Sequence, residues 1–347
     1  ELLRYINEQG EDYDLSTLSD SQQRMIALLL EVSQLMDTVF LKQSMGAQDT
    51  LLGYIKNDSL RELIRINYGP YDRLNGNEPF LTGIPEKPPG AAFYPTDMSR
   101  EEFIGSGLLQ KTDMFTLLIR KENGRLATQY YHEAYAHEHK RAAALLQEAA
   151  RFSQSAGFRE YLQMRALDFL GGDYLMSNYV WLDTRDNHIE FIVGPIEAYE
   201  DRLFGYKTAH QALLLIKDTA LSRELDRYAS FLPELQAQLP VGESYRPVRA
   251  FENNAEINAY DAIYAGGMFN AGSKTMAINL PQAMQRLPGL AARRLLIKNI
   301  IRAKFDHILL PVSEVLVAEE QHDRVTYEAF FTNTLFHEIA QDLGVQD

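Results

Sequence analysis

The chain has 347 residues, 46% apolar and 24% charged, with a formal net charge of −14 and no cysteine. The apolar content is enough for the core of one large domain or two ordinary ones. The acidic balance repels phosphate backbones and anionic lipids, so neither nucleic acid nor a membrane is expected as a partner, and no apolar run approaches the ~18 residues that span a bilayer. Without cysteine there are no disulfides and no thiolate metal sites, so any metal must be held by His, Asp or Glu.

Along the chain, residues 25–40 (MIALLLEVSQLMDTVF) carry apolar side chains at helical spacing on most faces and predict a buried helix. Residues 69–95 hold Pro70, Pro79, Pro85, Pro88 and Pro89 with several glycines, and predict a loop with no regular element. Ser99 and Glu102 have capping-box spacing and open the next helix. Two β-prone runs around Glu122 to Gly124 predict a hairpin over residues 114–131. Residues 134–170 read as helix, residues 188–193 as a strand and residues 206–232 as helix again. Residues 245–279 hold strand-like runs broken by Gly266, Gly267 and Gly272. Residues 293–310 predict a helix ended by Pro311, and residues 327–343 a last helix with Phe330, Leu335, Ile339 and Leu343 near one stripe. The sum is an α+β protein, helix-rich, with its strands in the middle of the chain.

The last helix carries the chemistry. His337 and Glu338 read as F-H-E-I-A-Q-D-L-G. In zinc peptidases such a His binds the metal, and the Glu takes a proton from metal-bound water. A second His four positions on, on the same helix face, completes the pair. That position holds Gln341, a neutral and weakly basic amide, and Asp342 follows it. Asp is an acceptable ligand type, but it points elsewhere on a regular helix. On its own, His-Glu in a helix is most often an ordinary pair of helix residues. The cluster His132, Glu133, His137, Glu138 and His139 has spacing that does not suit a metal and is expected to be a solvated helix face. Trp181, the single Trp, is expected to be a packing residue. Glu197 taken alone reads as a surface or salt-bridged carboxylate, and Asn279 before Leu-Pro as a turn residue.

Several segments occur in one order. These are A-A-F-Y-P-T-D-M-S-R-E-E-F (91–103), D-Y-L-M-S-N-Y-V-W-L-D (173–183), G-P-I-E-A-Y-E-D-R-L-F-G-Y-K (194–207), N-A-G-S-K-T-M-A-I-N-L-P (270–281), L-I-K-N (296–299) and F-F-T-N-T-L-F-H-E (330–338). Together they resemble the bacterial branch of the dipeptidyl-peptidase III family, which are zinc metallopeptidases. The resemblance implies a two-lobed protein with a β-barrel-like core in one lobe and a helical zinc lobe in the other. It implies residues 1–110 as a helical and loop-rich start, residues 111–285 as a mixed lobe with a peptide groove, and residues 286–347 as the start of the metal lobe.

Carried over by motif, Glu197 and Tyr199 match the family's Ile-Glu-x-Tyr, whose Glu receives the peptide amine. Asn279 matches the first Asn of its Asn-x-Pro-Asn, with Gln282 in place of the second. His337 matches the first zinc ligand and Glu338 the catalytic Glu. Gln341, or Asp342 in an alignment one residue longer, stands where the second zinc His belongs. The family's later Glu ligand has no counterpart in this sequence. The chain opens at Glu1 rather than Met. The expectation is a trimmed, amino-terminal portion of a longer protein or a shortened relative. Two functions follow from the resemblance: a zinc-dependent exopeptidase removing dipeptides from the amino terminus of short peptides, or an inactive homologue that still binds them. A cytoplasmic and a periplasmic location both stay open, as does the oligomeric state.

Overall fold

The structure, a computed structural model, describes residues 15–46, 51–242, 256–280 and 293–340. Its longer helices are α1 (Asp20–Met45), α2 (Asp58–Asn67), α3 (Arg100–Gly105), α4 (Ala136–Ala150), α5 (Ala156–Gly171), α6 (Leu175–Asp183), α7 (Thr219–Ala229), α8 (Lys298–Lys304), α9 (Leu310–Leu316) and α10 (Tyr327–Ala340). Strands β1 (Thr116–Arg120) and β2 (Leu126–Tyr130) form the expected hairpin. Strands β3 (Ile189–Glu197), β4 (Ala209–Asp218), β5 (Glu256–Gly267), β6 (Ala277–Leu280) and β7 (Arg293–Ile297) form one curled sheet in the order β3-β4-β5-β7-β6. Only the β5–β7 pair is parallel. The class is α+β and helix-rich, as expected.

Helix α1 starts at a reciprocal cap, in which Ser19 Oγ accepts from Gln22 N and the Gln22 side chain accepts from Ser19 N. It then buries Met25, Leu29, Val32, Met36 and Val39, spaced three and four apart along one stripe. As far as Met36 that stripe, with α4, α5 and α6, packs on one face of the sheet around Leu213, Leu215 and Leu295. The other face carries Ile257, Ala259 and Leu296, covered by Leu225 of α7, Ile301 of α8 and Leu335 and Ile339 of α10. Alternate residues of β7 therefore enter different cores, as the pleat requires.

Several sequence readings are corrected. Residues 209–218, read as helix, are the interior strand β4, with Ala209 through Ile216 all buried. A strand covered on both faces has a continuous apolar run, which periodicity does not separate from a buried helix. Residues 293–297, also read as helix, are strand β7, and helix begins only at Lys298. Pro311 does not end that helical run; it sits in the first turn of α9, where its missing N–H costs nothing. The helix over 134–170 is divided at Ser153–Ser155, where Ser155 caps α5 by accepting from Phe158 N at 3.0 Å.

Ser99 caps α3, but Glu102 leaves the box and grips Arg120 at 2.8 and 2.9 Å. The loop over 69–95 does contain one short ladder, Tyr71–Asp72 against Glu78–Pro79. The cluster around His137 is not a solvated face: Glu138 and His139 are buried, while His137 is exposed. Strand β5 ends at Gly267 with φ +60, where an added Cβ would meet His210 O at 2.3 Å, so only glycine fits. Its N–H donates to Asp37 Oδ1 of α1 at 2.6 Å, which ties the helix to the sheet.

Candidate functional site

The sequence-derived site residues that are described fall into two groups, one at the end of edge strand β3 and one on edge strand β6 and helix α10. The first is at the end of β3. The strand closes on Glu197, whose backbone pairs with Ala209 across an irregularity after Pro195. The Glu197 carboxylate is half-buried, and burial pushes its pKa up. Among the described residues it has neither a hydrogen-bond donor nor a cation. Glu197 is thus neither the salt-bridged nor the open surface carboxylate that its local sequence proposes. Tyr199, two residues on, is 71% exposed, and the Glu197 charge, then burial, pushes its phenol up.

The next two residues behave in the opposite way. Glu200 is buried and gripped by Arg73, with Nη1 to Oε2 at 2.7 Å and Nη2 to Oε1 at 3.1 Å, and by Lys87. Burial opposes its charge, but Arg73 and then Lys87 outweigh it and hold the carboxyl at about 2. Asp201 accepts from the N–H groups of Leu203, Phe204, Tyr206 and Lys207 at 2.9 to 3.1 Å and from Tyr94 Oη at 2.6 Å. Neither residue was singled out from sequence. Their signal lies in the contrast between partners, which is three-dimensional.

The second group lies at the other edge. Asn279 is on β6, and its described part is its backbone, which pairs in register with Arg294 of β7. Arg294 is buried, and burial lowers its guanidinium to about 10 against the opposing charge of Glu338. Helix α10, seated on the sheet by Leu335 and Ile339, carries His337 exposed and Glu338 half-buried. Burial raises the Glu338 carboxyl, with His337 and Arg294 opposing. Backbone register and packing thus bring Asn279, Arg294 and Glu338 to one place. Arg294 was missed because residues 293–297 read as helix.

Gln282, Gln341 and Asp342 lie outside the described residues. Among the described residues no group of three or more His, Asp or Glu is gathered to hold a metal. The described donor on α10 is the exposed His337 imidazole, with Glu338 beside it. This set does not fit a zinc centre, which takes at least three protein ligands. Also among the described residues, no helix is long and apolar enough to cross a membrane.

No family model matches the chain. It is 27% identical to Nudix hydrolase 3 of Arabidopsis thaliana over 95% of this chain and 50% of that protein. The fold matches dipeptidyl-peptidase III from Caldithrix abyssi at a TM-score of 0.89 and 34% identity, covering 94% of this chain and 64% of that one. It matches dipeptidyl-peptidase III from Corallococcus sp. strain EGB at a TM-score of 0.85 and 31% identity, covering 94% and 63%. The chain therefore spans about half to two thirds of the length of these relatives. The ordered motifs, the curled sheet and this likeness over nearly its whole length give the chain a dipeptidyl-peptidase III-like fold.

Proposed function

We propose that this chain carries the peptide-binding part of a dipeptidyl-peptidase III-like site, with short peptides as its ligands. The observation that carries the reading is Glu197: a half-buried carboxylate without a partner among the described residues, at the end of an edge strand. A carboxylate in such a place is ready for a cation, and a peptide's free amine supplies one. The edge strand β6, which carries Asn279, supports the rest of the reading. Its outer side has no strand partner among the described residues, so an extended peptide can add to it by main-chain hydrogen bonds. Tyr199 and Gln282 complete the proposed contacts. In this reading residues 111–285 hold the groove and residues 286–347 begin the helical metal lobe.

Calorimetric titration with a tetrapeptide and its N-acetylated form tests it. The free-amine form binds more tightly, and Glu197→Gln removes the difference. Equal binding of both forms by the unaltered chain refutes the role given to Glu197.

A second reading, zinc-dependent removal of dipeptides, is favoured by the placement of Glu338 on the sheet beside Arg294. It takes His337 as a ligand and requires further ligands, from Gln341, Asp342 or elsewhere. Release of a dipeptidyl chromophore with added zinc, abolished in Glu338→Ala, is the result it requires. No release from a chain that binds peptides leaves the binding reading alone.

A further inference from the structure

We infer that Glu200, clamped by Arg73 and Lys87, is a positioning residue that sets where the Glu197 carboxylate stands. The inference rests on the reading of Glu197 as the amine acceptor. Glu197 has no described side-chain partner, so its own rotamers and the path of the backbone at the end of β3 set where its carboxylate stands. Three residues later that backbone is anchored by segments distant in sequence. Arg73 reaches Glu200 with two nitrogens, bonds Ser44 Oγ at 2.8 Å and also donates to Asn67 O. Ser44 in turn donates to Tyr68 O at 2.8 Å. Lys87 approaches Glu200 from the proline-rich loop, and Pro89 O of that loop accepts from Arg202 N at 2.8 Å. The end of α1, the segment after α2 and the loop at 87–89 thus all converge on residues 200–202. Asp201 then fixes residues 203–207.

Stability alone is a poor account of this cluster, since a buried ion pair roughly breaks even against apolar packing. Fixing one backbone path is something such a network does well. The path has room to be wrong: a cavity of about 530 Å³ is lined by Glu200, Lys87 and Arg202 together with Gly76 to Pro79. Without the clamp, the turn after Glu197 can move into that space.

The test compares binding of tetra-alanine with N-acetyl-tetra-alanine in the unaltered chain and in Glu197→Gln, Glu200→Gln, Glu200→Asp and Lys87→Met. Trp181 fluorescence melts show which variants are folded. The ratio of the two affinities reports the amine contact, and a merely structural role for Glu200 lowers the melting point without moving that ratio in folded protein. The unaltered chain prefers the free amine by roughly tenfold or more, the range of a charge-assisted hydrogen bond. Glu197→Gln brings the ratio to one. Glu200→Gln brings it most of the way, and Lys87→Met, which leaves Arg73 on Glu200, lowers it partly. If Glu200→Gln does not fold, Glu200→Asp and Lys87→Met decide by the same ratio. A full ratio in folded Glu200 and Lys87 variants, with loss in Glu197→Gln, overturns this inference alone. A ratio of one in the unaltered chain, or no binding of either peptide, overturns the Glu197 reading and this inference with it.

Discussion

Arg293 lies over the indole of Trp181, with Cζ 4.4 Å from the ring centroid, and both bind one carboxylate. Trp181 Nε1 donates to Glu190 Oε1 and Arg293 Nη2 to Glu190 Oε2, each at 2.6 Å. Arg293 is 1% exposed and Glu190 is fully buried, so Arg293 is the cation that offsets the Glu190 charge, with Glu256 4.0 Å from its Nε as a second carboxylate. The contact ties β7 to β3 and α6, which are not neighbours in the sheet order. Removing one partner of a buried pair strands the other charge, at a cost of roughly 3–5 kcal/mol. Arg293→Met is therefore expected to lower unfolding free energy by about that much in urea titrations followed by Trp181 fluorescence. The double variant Arg293→Met with Glu190→Gln should recover part of the loss. Equal or greater destabilisation in the double variant would contradict the pairing.

Asp201 organises the turn that follows the candidate amine site. Its carboxylate takes four backbone N–H groups and one phenol. Asp201→Ala leaves those donors without their acceptor, and a loss of about 2–4 kcal/mol is expected. Asp201→Asn keeps an acceptor oxygen and should lose less. Denaturant midpoints of the two variants measure the difference, and similar midpoints would argue against the turn account.

Two buried imidazoles make the core sensitive to acid. His139 Nδ1 lies 3.0 Å from Phe169 O, and a carbonyl only accepts, so this nitrogen carries the proton. His139 Nε2 is then the acceptor from His210 Nε2, 2.9 Å away. Both rings are neutral, and burial holds His139 at about 4 and His210 well below its ordinary range. With folded values below the unfolded value near 6.5, the unfolded chain takes up more protons as pH falls. Stability should drop between pH 6.5 and 4, by about 1.4 kcal/mol per unit per imidazole. Asp168, pushed up to about 6 by burial, works in the opposite sense. The decisive comparison is therefore with His210→Phe, whose stability should fall less steeply over the same range. Parallel pH curves for the two proteins would exclude the imidazole pair as the cause.

Helix α10 makes a gain-of-function prediction. His337 is exposed on α10, and the position one turn later is Gln341. Gln341→His supplies a second imidazole at the spacing that places two on one helix face. Zinc affinity, measured by competition with a chromophoric chelator, should rise by roughly tenfold or more. The added His337→Ala should cancel the gain. No change in affinity would contradict the expectation that imidazoles at positions 337 and 341 share one zinc ion.

The candidate site residues could be named along the chain because their motifs are contiguous. Glu197 and Tyr199 sit in one segment, and His337 and Glu338 in another. The hairpin β1–β2, the long stripe of α1 and the Ser99 cap follow from local spacing and are present. Strands β4 and β7 were not legible. The run A-L-L-L-I in β4 is apolar on both faces because the sheet is covered on both faces. In β7, Arg293 and Arg294 look like helix surface, yet each is buried toward a different core and meets its own counter-charge.

By itself the sequence determined the fold class, the family resemblance and the types of group available, because composition, short-range periodicity and contiguous motifs are local properties. It also settled that this chain contributes no thiol, since it has no cysteine. Tertiary structure alone decided which carboxylates are committed. Glu190, Glu200 and Asp201 each meet partners from segments remote in sequence, whereas Glu197 meets no donor or cation among the described residues. Four carboxylates within a dozen residues look alike on paper. Their roles separate only when folding brings Arg293, Arg73, Lys87 and Tyr94 to three of them, because charge pairing depends on distance in space and not along the chain.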